Sequence, residues 1–207
     1  LVDAGAHLEN EAHSYTPLAY AAYNDRQRAM QYLIERGARL EIDERMDHQG
    51  RVVRPLDINA VKIPLAEMVA REKPEAIAIC LLHSYIDASH ERRLADLVRQ
   101  EHPELQVSLS GEGYPVIREY ERWTTAALNA YVQPLVDRYL DRLEGGLAST
   151  GFAGRLFIMA SNGGTLTPAV ARRFPARLLE SGPAAGILMS AEVGRSLDRP
   201  DVLAFDM

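Results

Sequence analysis

LFIMASNGGTLTPAVARRFPARLLESGPAAG, residues 156–186, carries two glycine-bearing loops, SNGG at 161–164 and SGP at 181–183, each reading as the approach to a helix N-terminus. Glycine admits positive φ and lets the backbone come close to a ligand. A helix start adds unpaired N–H groups and the positive end of its dipole. That chemistry suits an anion or a carbonyl oxygen. The apolar run 156–160 reads as a strand, and Thr167-Pro168 opens a short helix ending before Pro175. Residues 177–179 read as a further short strand, and 183–193 as a helix with Gly194 just past its end.

Working back toward the N-terminus, AIAICLL at 76–82 is a near-continuous apolar run, the pattern of a strand buried on both faces. Asp87 can cap a helix over 88–101, His102-Pro103 ends it, and 105–109 alternates as a second strand. A strand, helix and strand in this order predict a βαβ unit with parallel strands. Residues 118–143 are strongly helical: Trp123, Ala127, Tyr131, Leu135, Tyr139 and Leu143 recur every four positions, and Leu128, Val132, Val136 and Leu140 widen the stripe. Pro134 predicts two helical pieces meeting there, closed by Gly145-Gly146. Residues 202–205 form a last apolar strand with Asp206 at its carboxyl end.

Residues 1–42 have a different character. LVDAGAHLE at 1–9 recurs as LIERGARLE at 33–41, and TPLAYAA at 16–22 lies between. Thr caps, Pro suits the first helical position and each Gly-Ala ends a helix. The segment resembles an ankyrin repeat preceded by the tail of another, which implies a helical hairpin able to engage a protein partner. Residues 43–63 read as a connector with a turn at 47–50, a short strand near 51–53 and a helix over 60–71 that Pro64 confines to its start. The domain boundary falls at 42/43.

Net charge −6 and a pI near 5.5 argue against nucleic acid, because phosphate recognition needs a concentrated positive field. No apolar run approaches the ~20 residues of a membrane helix. The single cysteine, Cys80, cannot form an intrachain disulfide and sits in the apolar run as a small buried hydrophobe, which fits a reducing, cytoplasmic setting.

Ligands of open α/β sheets bind beyond the carboxyl ends of the strands. His83-Ser84, the 161–164 loop and Asp206 all fall there. His83 is more often an ordinary strand-end histidine than a catalytic base, and Asn162 with its glycines more often an ordinary turn than an oxygen contact. His90, Glu91 and His102 read as solvent-facing. No metal-ligand spacing, Walker loop, nucleophile elbow or GxGxxG is present.

CLLHSY at 80–85, HERRL at 90–94, IREYER at 117–122, LNAYVQPLVDRYL at 128–140, SNGG at 161–164, SGPAAG at 181–186 and FDM at 205–207 together resemble the hydantoinase/5-oxoprolinase family. Its relatives include the ATP-using subunits of acetone carboxylases. The resemblance covers residues 44–207. It implies an actin-like ATPase fold, here a partial lobe with a mostly parallel sheet and flanking helices. It also implies ATP with Mg²⁺ as cofactors, a small cyclic-amide substrate and a second hydantoinase-type subunit. Phosphorylating the amide oxygen would turn it into a leaving group and open the ring to water. On this resemblance Asp206 is assigned to catalysis and the Mg²⁺ shell; His83, placed at a strand's carboxyl end, is the second catalytic candidate. Ser161, Asn162, Gly163, Gly164, Ser181 and Gly182 are assigned to substrate or phosphate. In the family a Gly-Gly-Thr phosphate loop directly follows FDM and an equivalent one lies near the N-terminus; neither of these two loops is in this sequence, so the resemblance implies a fragment that is inactive alone. The alternative is an ankyrin-type binding module on a non-catalytic α/β scaffold.

Overall fold

The computed structural model describes residues 39–199 and 201–205. The described residues fall into two compact units, one of 39–45 with 54–74 and one of 46–53 with 75–199 and 201–205. The strands β1 (Arg45–Met46) and β2 (Val52–Arg54) pair. Asp47 shapes the turn between them, its Oδ1 accepting from the N–H groups of Gln49 and Arg51 at 2.8 and 2.9 Å.

In the first unit, α1 (Ile58–Glu72) begins at Asp57, whose Oδ1 accepts from Asn59 N at 2.9 Å. It ends where Lys73 turns left-handed at φ 48°. Val61, Leu65 and Met68 recur on its buried side. Pro64 lies inside the helix, which starts six residues before the proline, because the Asp57 cap sets the start.

The second unit is built on the expected βαβ element. β3 (Ala76–Ile79) and β4 (Gln106–Leu109) are parallel, Ala76 opposite Gln106 and Ile79 opposite Leu109, joined through α2 (Ser89–Glu101). Asp87 Oδ1 accepts from Ser89 N at 2.8 Å, preparing the helix start. Leu94, Ala95, Leu97 and Val98 bury the inner side of α2. A single-turn helix, α3 (Ser110–Gly113), follows β4 directly.

The long helix α4 (Glu119–Ser149) packs against both parallel strands, and two sequence expectations need correction on it. It runs as one helix of 31 residues through Pro134. One missing N–H costs one rung, and contacts with β3, β4 and the segment after residue 167 hold the helix across it. Its inner face also coincides only in part with the apolar stripe read from the sequence. Arg122, Ala126, Asn129, Ala130, Gln133 and Leu140 are buried, while Tyr131, Leu135 and Tyr139 are exposed. Of the stripe read from the sequence only Leu140 is buried; Arg122, Asn129 and Gln133 share the inner face because each finds hydrogen-bond partners there.

Beyond α4 the expectation of further parallel strands gives way to a hairpin. β5 (Ile158–Met159) pairs antiparallel with β6 (Thr165–Leu166). Then come α5 (Pro168–Arg173), a 3-10 turn (Pro175–Leu178) where a strand was expected, and α6 (Ser181–Ser196). Arg172 of α5 clamps three acids of α4, Asp137, Asp141 and Glu144, at 2.5, 2.8 and 2.5 Å. Gly194 lies inside α6, not past its end. A Cβ there would run into Val202 Cγ2 and lie 2.8 Å from Arg199 O, so glycine lets the chain fold back over the helix. Residues 201–205 take no regular structure. The α/β class read from the sequence stands, with a two-stranded parallel sheet.

Candidate functional site

The loop after β3 is held by side chains that cross the unit. Glu91, completely buried on α2, accepts at Oε1 from Leu81 N at 2.9 Å and from the Ser110 hydroxyl at 2.6 Å. Its Oε2 accepts from Gly111 N at 2.8 Å. Arg122, completely buried on α4, donates to Leu81 O and Val116 O, each at 2.9 Å, and to Ser110 Oγ at 3.2 Å. Ser110 has one proton and gives it to Glu91, so Ser84 is the donor in its 3.0 Å bond to Ser110. The opposite charges compensate each other through one hydroxyl, the condition under which buried ions are tolerated. Glu91 and His90 are therefore interior groups, contrary to the solvent-facing reading. A helix residue and an arginine 31 positions later meet only in the tertiary fold. The signal available in the sequence was their presence in HERRL and IREYER.

His83 follows two residues after the pinned Leu81. Its φ is +58°, an uncommon conformation for a non-glycine residue, and its Nδ1 is buried with no hydrogen-bond partner. The ring stands edge-on to Tyr85 at 6.1 Å between centroids, and the Arg122 guanidinium lies 5.4 Å from the Tyr85 ring centre. A strained backbone and an unsatisfied ring nitrogen coincide at the carboxyl end of a parallel strand. Cys80, just before this loop, is not poised to react: burial, reinforced by the charge on Glu91, pushes its thiol up to about 12.

The 161–164 loop is the turn of the β5–β6 hairpin, not the start of a helix. Its backbone donors are largely engaged within the protein. Ser161 N donates to Arg177 O at 2.7 Å, Gly163 N to Ala160 O at 2.9 Å and Gly164 N to Asn162 Oδ1 at 3.0 Å. Gly163, at φ +81°, is required: a Cβ would also lie 3.0 Å from Leu188 Cδ1 of α6. The Ser161 hydroxyl donates to Arg177 O at 2.7 Å and accepts from Glu180 N at 3.0 Å. The turn is thus fastened to the residue just ahead of α6. Ser181 and Gly182 form the first turn of that helix, where no side chain caps the N-terminus, and a Cβ on Gly182 would meet open space. The structure brings the two glycine-bearing loops together but pairs their strands in a different sheet from the His83 strand. Asp206 lies outside the described residues. Among those residues no three His, Cys, Asp or Glu side chains are gathered as a metal site. Nor is any described helix long and apolar enough to cross a membrane.

The arrangement defines an α/β protein with a braced loop beyond a parallel strand and a hairpin turn locked to a helix start. Residues 11–102 match the hydantoinase/oxoprolinase N-terminal region and residues 122–207 match hydantoinase/oxoprolinase. The chain belongs to the hydantoinase/oxoprolinase family. It is 35% identical over 175 residues to an uncharacterized protein of Methanocaldococcus jannaschii, covering 84% of this chain and 26% of that one. It is 33% identical over 184 residues to the acetophenone carboxylase gamma subunit of Aromatoleum aromaticum, covering 84% and 24%. The crystal structure of the ATP-dependent caprolactamase from Pseudomonas jessenii superposes with a TM-score of 0.68 at 29% identity, over 75% of this chain and 22% of that one. The chain spans about a quarter of the length of the curated relatives it matches.

The N-terminal family match runs through residues 11–42, most of the segment that reads as ankyrin-like. No comparison supports an ankyrin repeat. Thr-Pro starts and Gly-Ala stops are signals shared by helix pairs in general. Residues 1–38, on which that hairpin was read, lie outside the described residues.

Proposed function

We propose that this chain is part of an ATP-dependent enzyme that activates the carbonyl oxygen of a small cyclic amide, with the His83 loop at the reacting face. The observation that carries the reading is the unpartnered, buried Nδ1 of His83, on a left-handed backbone braced by Glu91 and Arg122. A ring nitrogen without a protein partner is free to hold or accept a proton on a ligand. The names of relatives support it: one is an ATP-dependent caprolactamase and another a carboxylase subunit. When bound, ATP with Mg²⁺ supplies the phosphoryl group that makes a carbonyl oxygen a leaving group. In this reading Asn162 offers its exposed side-chain amide, and Ser181 and Gly182 offer uncapped helix-start N–H groups, to substrate or phosphate. Ser161, Gly163 and Gly164 shape the turn, and Asp206 belongs to catalysis and the Mg²⁺ shell.

A second subunit is part of the proposal. The acetophenone carboxylase relative is named as a subunit, and Tyr131, Leu135 and Tyr139 form an exposed apolar stripe at four-residue spacing on α4.

Isothermal titration with Mg·ATP and then 5-oxoproline tests the reading, on a chain first shown to melt cooperatively. Binding of either ligand, weakened at least tenfold by His83→Ala or Asn162→Ala, is the expected result. A folded chain that binds neither would leave a non-catalytic scaffold.

A further inference from the structure

A cleft of about 330 Å³ opens between β4, α4 and α5, lined by Val107, Ala126, Gln133, Ala169 and Phe174 among others. It contains none of the residues of the proposed reacting face. Its size is at the lower end of the range for small-molecule pockets.

The hydrogen-bond pattern on its floor fixes the direction of every donor. Ala176 N can only donate, and it donates to Asn129 Oδ1 at 3.0 Å. The Asn129 amide nitrogen must then be Nδ2, which donates to Arg173 O at 3.0 Å and to Ser108 Oγ at 2.8 Å, using both its hydrogens. Ser108, having accepted, gives its own hydrogen to Gln133 Oε1 at 3.0 Å. The relay therefore turns Gln133 so that Oε1 is engaged, and Nε2 has two hydrogens and no acceptor. Gln133 is only 6% exposed and lines the cleft. Nε2 is not among the fully enclosed unsatisfied atoms, so this donor pair opens on the cleft, where a bound acceptor would take the place of water.

The charged groups at the cleft are already matched. Arg172 pairs with Asp137, Arg173 with Glu112 and Arg99 with Asp96. No uncompensated charge favours an ion. The remaining wall is apolar or small: Leu105, Ala126, Ala169 and Phe174.

We infer that this cleft is a binding site for a small neutral carbonyl compound whose oxygen accepts from Gln133 Nε2 while its apolar body lies against Ala126, Ala169 and Phe174. The site is separate from the reacting face proposed above and stands or falls without it.

The test is a titration of the ¹⁵N-labelled 207-residue chain with benzamide, benzoate and toluene, following the side-chain amide signals of Gln133. Those signals are assigned by their absence in Gln133→Glu. Benzamide should shift them saturably, with a Kd on the order of 1 mM for so small a ligand, and bind at least tenfold more tightly than benzoate or toluene. Gln133→Glu keeps the acceptor for Ser108 and removes both donors, so it should weaken benzamide at least tenfold. Ala169→Trp, at an exposed position on the cleft wall, should abolish binding and leaves the floor relay intact if Gln133→Glu does not fold. Equal binding of toluene would make the cleft a nonspecific apolar hole, and equal binding of benzoate would make it an anion site. Either result overturns the inference. So does an absence of saturable shifts, or undiminished benzamide binding in Gln133→Glu.

Discussion

Glu91 and Arg122 come from different helices and hold the two polar ends of the same residue, the carboxylate accepting from Leu81 N and the guanidinium donating to Leu81 O, each at 2.9 Å. They share the Ser110 hydroxyl as well. The pair works as a brace: the chain leaving β3 cannot rotate about Leu81 without breaking a charge-assisted bond.

Removing one charge should therefore cost far more than removing both. Glu91→Gln leaves Arg122 buried without a counter-charge, and the expected loss is about 3–5 kcal/mol. The double substitution Glu91→Leu with Arg122→Met should recover a large part of it, because two desolvated ions are exchanged for apolar volume. Urea denaturation of the two variants decides; a double variant no more stable than Glu91→Gln would show that the hydrogen bonds, not the charges, dominate.

His83 gives a prediction of opposite sign. A left-handed backbone at a non-glycine residue costs on the order of 1 kcal/mol or more, and the unpaired Nδ1 adds to it. His83→Gly should raise stability by about 1 kcal/mol while lowering ligand affinity in the titration proposed above. A destabilised His83→Gly would mean that the ring's contact with Tyr85 outweighs the strain.

What the sequence made legible follows from how local each cause is. The βαβ unit around Asp87 was readable because strand runs, an Asx start and a Pro stop act within a few residues. The pairing of 158–159 was not, because an apolar run does not say whether its partner lies in the parallel sheet or seven residues ahead in a hairpin. His83 was readable as a strand-end residue. The brace behind it was not, since Glu91, Ser110 and Arg122 meet only after three elements pack. The inner face of α4 was misread in part for a related reason: Arg122, Asn129 and Gln133 look like solvent groups until their partners on β4 and the following loops are known.

Gly111 sits where that brace meets the His83 loop. A Cβ there would fall 2.5 Å from the carbonyl oxygen of Ser84 and 2.9 Å from Ala88 Cβ. Backbone, unlike a flexible side chain, cannot move aside cheaply. Gly111→Ala should destabilise by about 1–3 kcal/mol and displace the Ser84 end of the loop. The change is visible as shifted His83 and Tyr85 side-chain resonances. A substitution that leaves both the melting temperature and those resonances unchanged would show that the loop is slack rather than braced.

Cys80 reports on the same interior by its reactivity. Burial is the first cause that pushes its thiol up to about 12, and the Glu91 carboxylate, which disfavours a second negative charge nearby, is the next. Iodoacetamide reacts with thiolate, so alkylation of the native chain at pH 8 should be slower than that of the urea-unfolded chain by on the order of 10³. The sign of the pH dependence follows from the direction of the shift. Because the folded value lies above the unfolded one, the stability that the neutral thiol contributes is complete below pH 9 and is lost as pH rises from there toward 12. Glu91→Gln removes the second cause and leaves the first, so it should bring the thiol down part of the way and speed native alkylation, provided the variant is compared under conditions where it remains folded. An alkylation rate in native Glu91→Gln equal to that of the parent would show that desolvation alone sets the thiol, and that the Glu91 charge is screened from it by Ser110 and Arg122.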